Sequence, residues 1–241
     1  VLSDTGRIVY QYADEIYALG AELTQRVKRK ELGVPVALNV GIVNSIPKLI
    51  AYRILEPALS MEEPVRVVCR ESDLDALLGD LAVHRLDLVL SDRPIPPGLN
   101  VRAYNHQLGT SGVSLFAHRR IARQYDRRFP DSLDGAPVLL PDEANALRRG
   151  LDEWFERQGV TPRIVAEFED SALMKAFGEA ASGLFPAPDA IADEVEAMYH
   201  SRRVGAVDGV SESFYAISPE RKLKHPAVLL ITETARHTFM K

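Results

Sequence analysis

The stretch 36-VALNVGIVNSIPKLIAYRIL-55 decides the fold. Val36, Leu38, Val40 and Ile42 recur at every second position, the period of a strand with one buried face. The alternation stops at Asn44-Ser45-Ile46-Pro47, and a helical run follows to Leu55, closed by Pro57. Ser45 reads as the N-cap, with Pro47 in the first turn, where its missing N–H does least harm. Downstream, VRVVCRE is the next strand, and Ser72-Asp73-Leu74-Asp75 resembles a capping box with Asp75 in place of Glu. Leu74, Leu77, Leu78 and Leu81 make the following helix one-sided, and LDLVLSD is a short apolar run typical of a buried parallel strand. Strand, helix, strand, helix, strand implies a parallel sheet with right-handed crossovers.

RPIPPGLN, with three prolines and a glycine, reads as a crossing loop. The alternation then resumes. GVSLFAH and PVLL are strands, and Asn145 to Gln158 is a helix with Leu147, Leu151, Trp154 and Phe155 on one face, stopped by Gly159. RIVAEFE is a strand, and Ser171 to Ser182 is a helix carrying Leu173, Ala176, Phe177 and Ala180. GLFPAP is a short strand and turn, and Ile191, Val195 and Met198 define another helix. RRVGAV and SESFYAIS are strand-like, and Pro226 opens a last helix that is expected to return to the first half. Two α/β halves place a ligand site between them, outside the carboxyl ends of the strands.

Upstream lies VLSDTGRIVYQYADEIYALGAELTQRVKRK. Val9, Tyr12, Ile16, Leu19 and Leu23 recur at spacings of three and four, a narrow seam on one helix face. Such a seam is expected to pair with another helix, from a second subunit.

The remaining totals exclude several classes. The net charge of −5 makes this chain alone a poor nucleic-acid binder, and the runs RVKRK and HRRIARQYDRR read as solvated faces or linkers. No apolar run approaches the roughly 18 residues of a membrane span, and no secretory leader pattern follows Val1, so a cytoplasmic location is expected. The single cysteine, Cys69, excludes an internal disulfide framework and reads as a buried thiol. GTSG is no phosphate loop, no Ser sits in a nucleophile elbow, and the histidines lack helix-ligand spacing. In AEFED, Glu167 and Glu169 share one strand face, but a strand end followed by the cap Asp170 outweighs a catalytic pair. The chain is read as not an enzyme. A solute-binding protein of transport is the rival reading, disfavoured by the opening helix and the missing leader.

Several segments resemble LysR-type transcriptional regulators. TGRIVYQYADEIYALGAEL is similar to the family's linker helix and LDLVLSD to its strand before the first crossing. LDLVLSDRPI, GVSLF, EFEDSALMKAFG and ERKLKHPAV resemble the branch that activates sodium/proton antiporter genes. The resemblance implies an α/β, two-lobed, periplasmic-binding-protein-like effector domain, with two mixed sheets flanked by helices, behind a long linker helix. The expected bounds are 1–32 for the linker, 33–104 for the first part of lobe I, 105–211 for lobe II and 212–241 for the return to lobe I. It also implies a homodimer or homotetramer whose effector domains lie side by side, through the Ser45 to Leu55 helix of one chain and lobe II helices of another. DNA would be bound through a winged helix-turn-helix head ahead of Val1.

By position the resemblance carries the effector cleft onto Asn44, Ser45, Ser91, Asp92, Asp142, Ala144, Phe168, Asp170 and Pro186. Ala181 stands where the family often has glycine, Gly183 keeps the second glycine, and Phe185 fills a place usually small, which would narrow the cleft. The implied signal is sodium or lithium, with Asp92, Glu169 and Asp170 as the oxygen donors, or a small effector. No other cofactor is implied.

Overall fold

The computed structural model describes residues 3, 5–6, 9–10, 12–13, 16–17, 20, 35–99, 101–143, 145–219 and 226–239. β1 (Val36–Val43), the helix Lys48–Leu59, β2 (Val65–Ser72), the helix Leu74–Ala82 and β3 (Leu88–Ser91) follow in the expected order. β1 runs parallel to β2 on one side and to β3 on the other. Leu38, Val40 and Ile42 are almost fully buried, each worth about 1.5–3 kcal/mol relative to exposure. Leu74, Leu77, Leu78 and Leu81 cover the sheet. A Cβ on Gly41 would press on the side-chain ends of Leu77 and Leu86, so glycine here lets those leucines pack close to the strand. Its cap is Asp73 rather than Ser72: the carboxylate accepts from the Ala76 N–H at 2.8 Å.

β4 (Tyr104–His118) and β8 (Ser201–Ser218) pair antiparallel along almost their whole lengths. They complete a six-stranded sheet in the order β2-β1-β3-β8-β4-β7, where β7 is Phe185–Pro188. β5 (Pro137–Pro141) and β6 (Arg163–Phe168) form a parallel pair, joined to the residue before β7 by the bridge Val138–Leu184. The second lobe is built on β5, β6 and the outer ends of β4 and β8.

RRVGAV and SESFYAIS are therefore one strand, and GVSLFAH is the second half of another. The sequence hides this because residues 207–210 leave the ladder between the pairs Ser114–Ala206 and Gly112–Ser211, with Gly209 at a φ of 79°. The bulge interrupts the alternation without ending the strand. Val207 and Val210 turn into a second core with Leu115, Val138, Leu151 and Trp154, beneath the helix Ala146–Gln158. That helix is stopped by Gly159 in the left-handed region, as its sequence predicts, and Asn145, read as its first residue, is instead its N-cap.

The last helix, Pro226–Phe239, buries Ala227, Val228, Ile231 and Ala235 in the first core, against the Lys48–Leu59 helix. The chain end thus returns to the first lobe. The helix Ser171–Glu179 departs from the expected face. Leu173 and Phe177 are exposed, and Met174, Lys175 and Gly178 are buried. Gly178 lies directly against the Phe185 ring, which draws that face inward. Cys69 is exposed, not buried. β2 is the edge strand of the sheet, and its cover fades from the half-buried Val65 and Val67 to the exposed Cys69, Arg70 and Glu71.

In the opening stretch, Val9, Tyr12 and Ile16 are helical and 62–71% exposed, so the seam is not covered by this chain. Leu19 and Leu23 lie outside the described residues. Among the described residues no helix is long and apolar enough to cross a membrane.

Candidate functional site

The carboxyl ends of the parallel strands set the site. β1 ends at Val43, β3 at Ser91, β5 at Pro141 and β6 at Phe168. The turns that follow β1, β5 and β6 meet β7 and the middle of β8 at a narrow cleft. Its walls are Ser45 and Pro47 from the first lobe, Asn145, Phe168 and Ser171 from the second, and Glu212 from the crossing strand. The space in it open to a water-sized guest is about 20 Å³, room for one water.

Ser45 lines the cleft, but it is not the cap of the helix behind it. The helix begins at Lys48 with Pro47 in the cap position, and no side chain accepts its first N–H groups. Proline fixes the entry angle, and the Ser45 hydroxyl is left buried with no protein partner. The Ser171 hydroxyl and Oε2 of Glu212, on the same cleft, are unpartnered as well, and so is Oδ1 of Asp92 close by. Four buried oxygens without a partner are unusual in a folded core. They leave hydrogen-bonding capacity in the cleft that a water or another polar guest could take up.

Two buried charges face this place. Lys175 is 3% exposed and its Nζ donates to the Ser171 carbonyl at 3.2 Å. Burial lowers its pKa to about 8, against the pull of the Glu212 and Asp170 carboxylates. Burial likewise raises Glu212 to about 7, with Lys175 opposing the shift and Asp92 adding to it. The two charges feel each other without closing into an ion pair. Sequence parity could have found both. Glu212 alternates with the buried Phe214 and Ala216, and Lys175 lies one turn beyond Ser171. Reading the helix through Leu173 and Phe177 hid the lysine.

The other expected residues divide. Phe168, Glu169 and Pro186 line the cleft with Ser45. Ser91 closes its own turn, donating to the Arg93 carbonyl at 2.7 Å. Asn44 and Asp142 do not line the cleft; their N–H groups bond Ser72 and Phe168 carbonyls. Asp170 caps the Ser171–Glu179 helix, accepting from the Ala172 N–H at 2.8 Å, and acts on Lys175 only through its charge. Ala144 lies outside the described residues. Asn145, Ser171, Lys175 and Glu212 are the site residues the sequence reading missed.

The expected ion donors are corrected. Among the described residues no three acidic, His or Cys side chains form a group that could hold a metal, so Asp92, Glu169 and Asp170 do not converge. Asp170 is spent on its cap. Glu169 follows the end of β6, and Asp92 follows the end of β3.

Next to the cleft, Arg53 of the Lys48–Leu59 helix ties the lobes. Its guanidinium donates to the Ala190 carbonyl and to the Glu194 carboxylate, beyond β7. Ser114 and Arg203 both hold Asp189 at the start of that segment.

Comparison with known proteins agrees with this architecture. The LysR substrate binding domain matches residues 36–239. The chain is 34% identical over 233 residues to the transcriptional activator protein NhaR of Escherichia coli, covering 96% of this chain and 76% of that protein, and NhaR of Shigella flexneri matches to the same degree. The regulatory domain of HypT from Salmonella typhimurium superposes with a TM-score of 0.63 at 14% identity, covering 86% of this chain and 97% of that one. CbnR, a LysR family transcriptional regulator, gives 0.64 at 17%, covering 98% and 81%. The chain belongs to the LysR family of transcriptional regulators and carries its effector-binding domain.

Proposed function

We propose that this chain is the sensing and oligomerisation region of a cytoplasmic transcriptional activator, whose effector sits between Lys175 and Glu212. The carrying observation is the set of unpartnered buried oxygens, Ser45 Oγ, Ser171 Oγ and Glu212 Oε2, in one cleft drawn from both lobes and the strand between them. A guest there touches both lobes at once. It therefore favours one placement of the lobes over another, which is the requirement for a population shift. DNA is the partner this reading brings, through a head ahead of residue 1.

The test is reporter transcription from the target promoter by the intact protein. Lys175→Met and Glu212→Gln should abolish induction while the protein accumulates and melts normally. Induction unchanged in both variants would sink the reading.

The small volume of the cleft also favours a bare monovalent cation, held by the Ser45, Ser171 and Glu212 oxygens, as the means of a sodium or lithium response. Thermal melts with sodium, lithium and potassium test this. A shift selective among the ions, and lost in Glu212→Gln, is expected. Equal shifts for the three ions would exclude a direct site.

Assembly is proposed through two exposed apolar surfaces. One is the Val9–Tyr12–Ile16 seam. The other pairs Tyr52 and Leu59 on the Lys48–Leu59 helix of one chain with Leu173 and Phe177, 52% and 43% exposed, on the Ser171–Glu179 helix of its neighbour.

A further inference from the structure

At the outer end of the second lobe, β4 ends and β8 begins, with His118 paired to Ser201. The hollow here shares no lining residue with the cleft, although Arg203 reaches Asp189, next to the cleft's Pro188. Glu212 pairs near Ser111, seven residues up the ladder, or about 20 Å at strand rise. Five arginines meet there: Arg119, Arg120 and Arg123 from the turn after β4, and Arg202 and Arg203 from the start of β8. They surround an open concavity of about 510 Å³.

Two of the five are fixed. Arg119 donates to the carbonyls of Ser201 and Glu196 at 3.3 and 3.4 Å, and Arg203 pairs with Asp189 at 3.2 Å. The acidic side chain in the lining, Glu196, is occupied by the Arg203 backbone N–H at 2.7 Å. Among the described residues Arg120, Arg123 and Arg202 have no carboxylate partner, and all three are exposed. Three uncompensated guanidiniums thus face one hollow in a chain whose net charge is −5.

We propose that this concavity binds a compact, multiply charged phosphate anion. The number of free guanidiniums calls for two or three negative charges. Guanidinium forks match phosphate oxygens two at a time. The lining contains arginine, serine and glutamate and no apolar side chain, so it offers little to the carbon frame of an organic polyacid. A diphosphate or triphosphate group places the needed charge in the least volume. The site shares no lining residue with the effector cleft and does not rest on the function proposed there.

The probe is inorganic pyrophosphate, titrated calorimetrically into the protein at low salt. Saturable binding of one anion per chain is expected, weakening as salt rises. Arg120→Glu with Arg123→Glu should lower the affinity at least tenfold, and Arg202→Glu should do likewise. Arg66→Glu, an exposed arginine on β2, should change it less than twofold. Melting curves check folding, and Arg120→Gln with Arg123→Gln replaces the reversal if it unfolds the chain. Absent saturation, equal affinity in the double variant, or an equal loss in Arg66→Glu would overturn the site. A DNA duplex that binds with the same arginine dependence and is not displaced by pyrophosphate would also overturn it, in favour of a nucleic-acid face.

Discussion

Lys175 and Glu212 are both buried in the lining of one cleft, one on a second-lobe helix and the other on the strand that crosses between lobes, and each shifts the other's titration without an ion pair between them. Their signs give a pH signature. Glu212, raised to about 7, adds stability that is complete below pH 4.5 and lost as pH rises through 7. Lys175, lowered to about 8, adds stability that is complete above pH 10.5 and lost as pH falls through 8. Between 7 and 8 neither contributes, so the two leave a trough in the stability profile. Glu212→Gln should flatten the acid wall and Lys175→Met the alkaline wall, as urea denaturation at a series of pH values would show.

Ser45 and Asp73 offer a paired test of capping. Asp73 accepts a real cap bond from Ala76, so Asp73→Ala should cost about 1 kcal/mol. Ser45 caps nothing and has no protein partner. Ser45→Ala should change stability by less than about 0.5 kcal/mol, while altering the response to effector. Chemical denaturation separates the two.

Gly178 lies where a Cβ would overlap the Phe185 ring. Gly178→Ala should gain helix propensity yet lose about 1–3 kcal/mol through overpacking. Trimming the ring in the double variant with Phe185→Leu should recover part of the loss, read from melting midpoints.

The Arg53–Glu194 pair is about one-third exposed at each partner, so its direct worth is small, roughly 1 kcal/mol or less. Its position matters more. Arg53→Ala frees both the Ala190 carbonyl and the Glu194 carboxylate, and should speed amide hydrogen exchange in the segment 189–198 more than in the Leu74–Ala82 helix.

Ile16 is 71% exposed on the opening helix. Ile16→Glu should weaken self-association, with sedimentation shifting toward smaller species. An unchanged oligomer would assign assembly to the effector domains alone.

Much of the fold was legible because local signals agreed. The β1-to-β3 segment reads correctly from alternation, and the Ala146–Gln158 helix from its apolar face and Gly159. The long strands were not legible, because the bulge at residues 207–210 looks like a break while the ladder holds on both sides of it. The site was only half legible. Position pointed to Ser45, Phe168 and Pro186. Lys175 and Glu212 are charged residues on buried faces, and hydrophobic patterning assigns such residues to solvent. Cys69 failed for the opposite reason: alternation gives the face of a strand but not whether it lies at the edge of its sheet.

β4 and β8 are bonded to each other along most of the path between the lobes, so the lobes are not two bodies on slack tethers. They share one ribbon. A two-stranded ribbon resists stretching and in-plane shear, because both would break ladder bonds in series, but it yields to twisting. Its softest places are where bonds are already missing, at the bulge beside Gly112 and Ser114. Twist about that ribbon is the deformation its bonding resists least, and Glu212, paired with Ser111 on the ribbon itself, puts a guest beside it where the two lobes join.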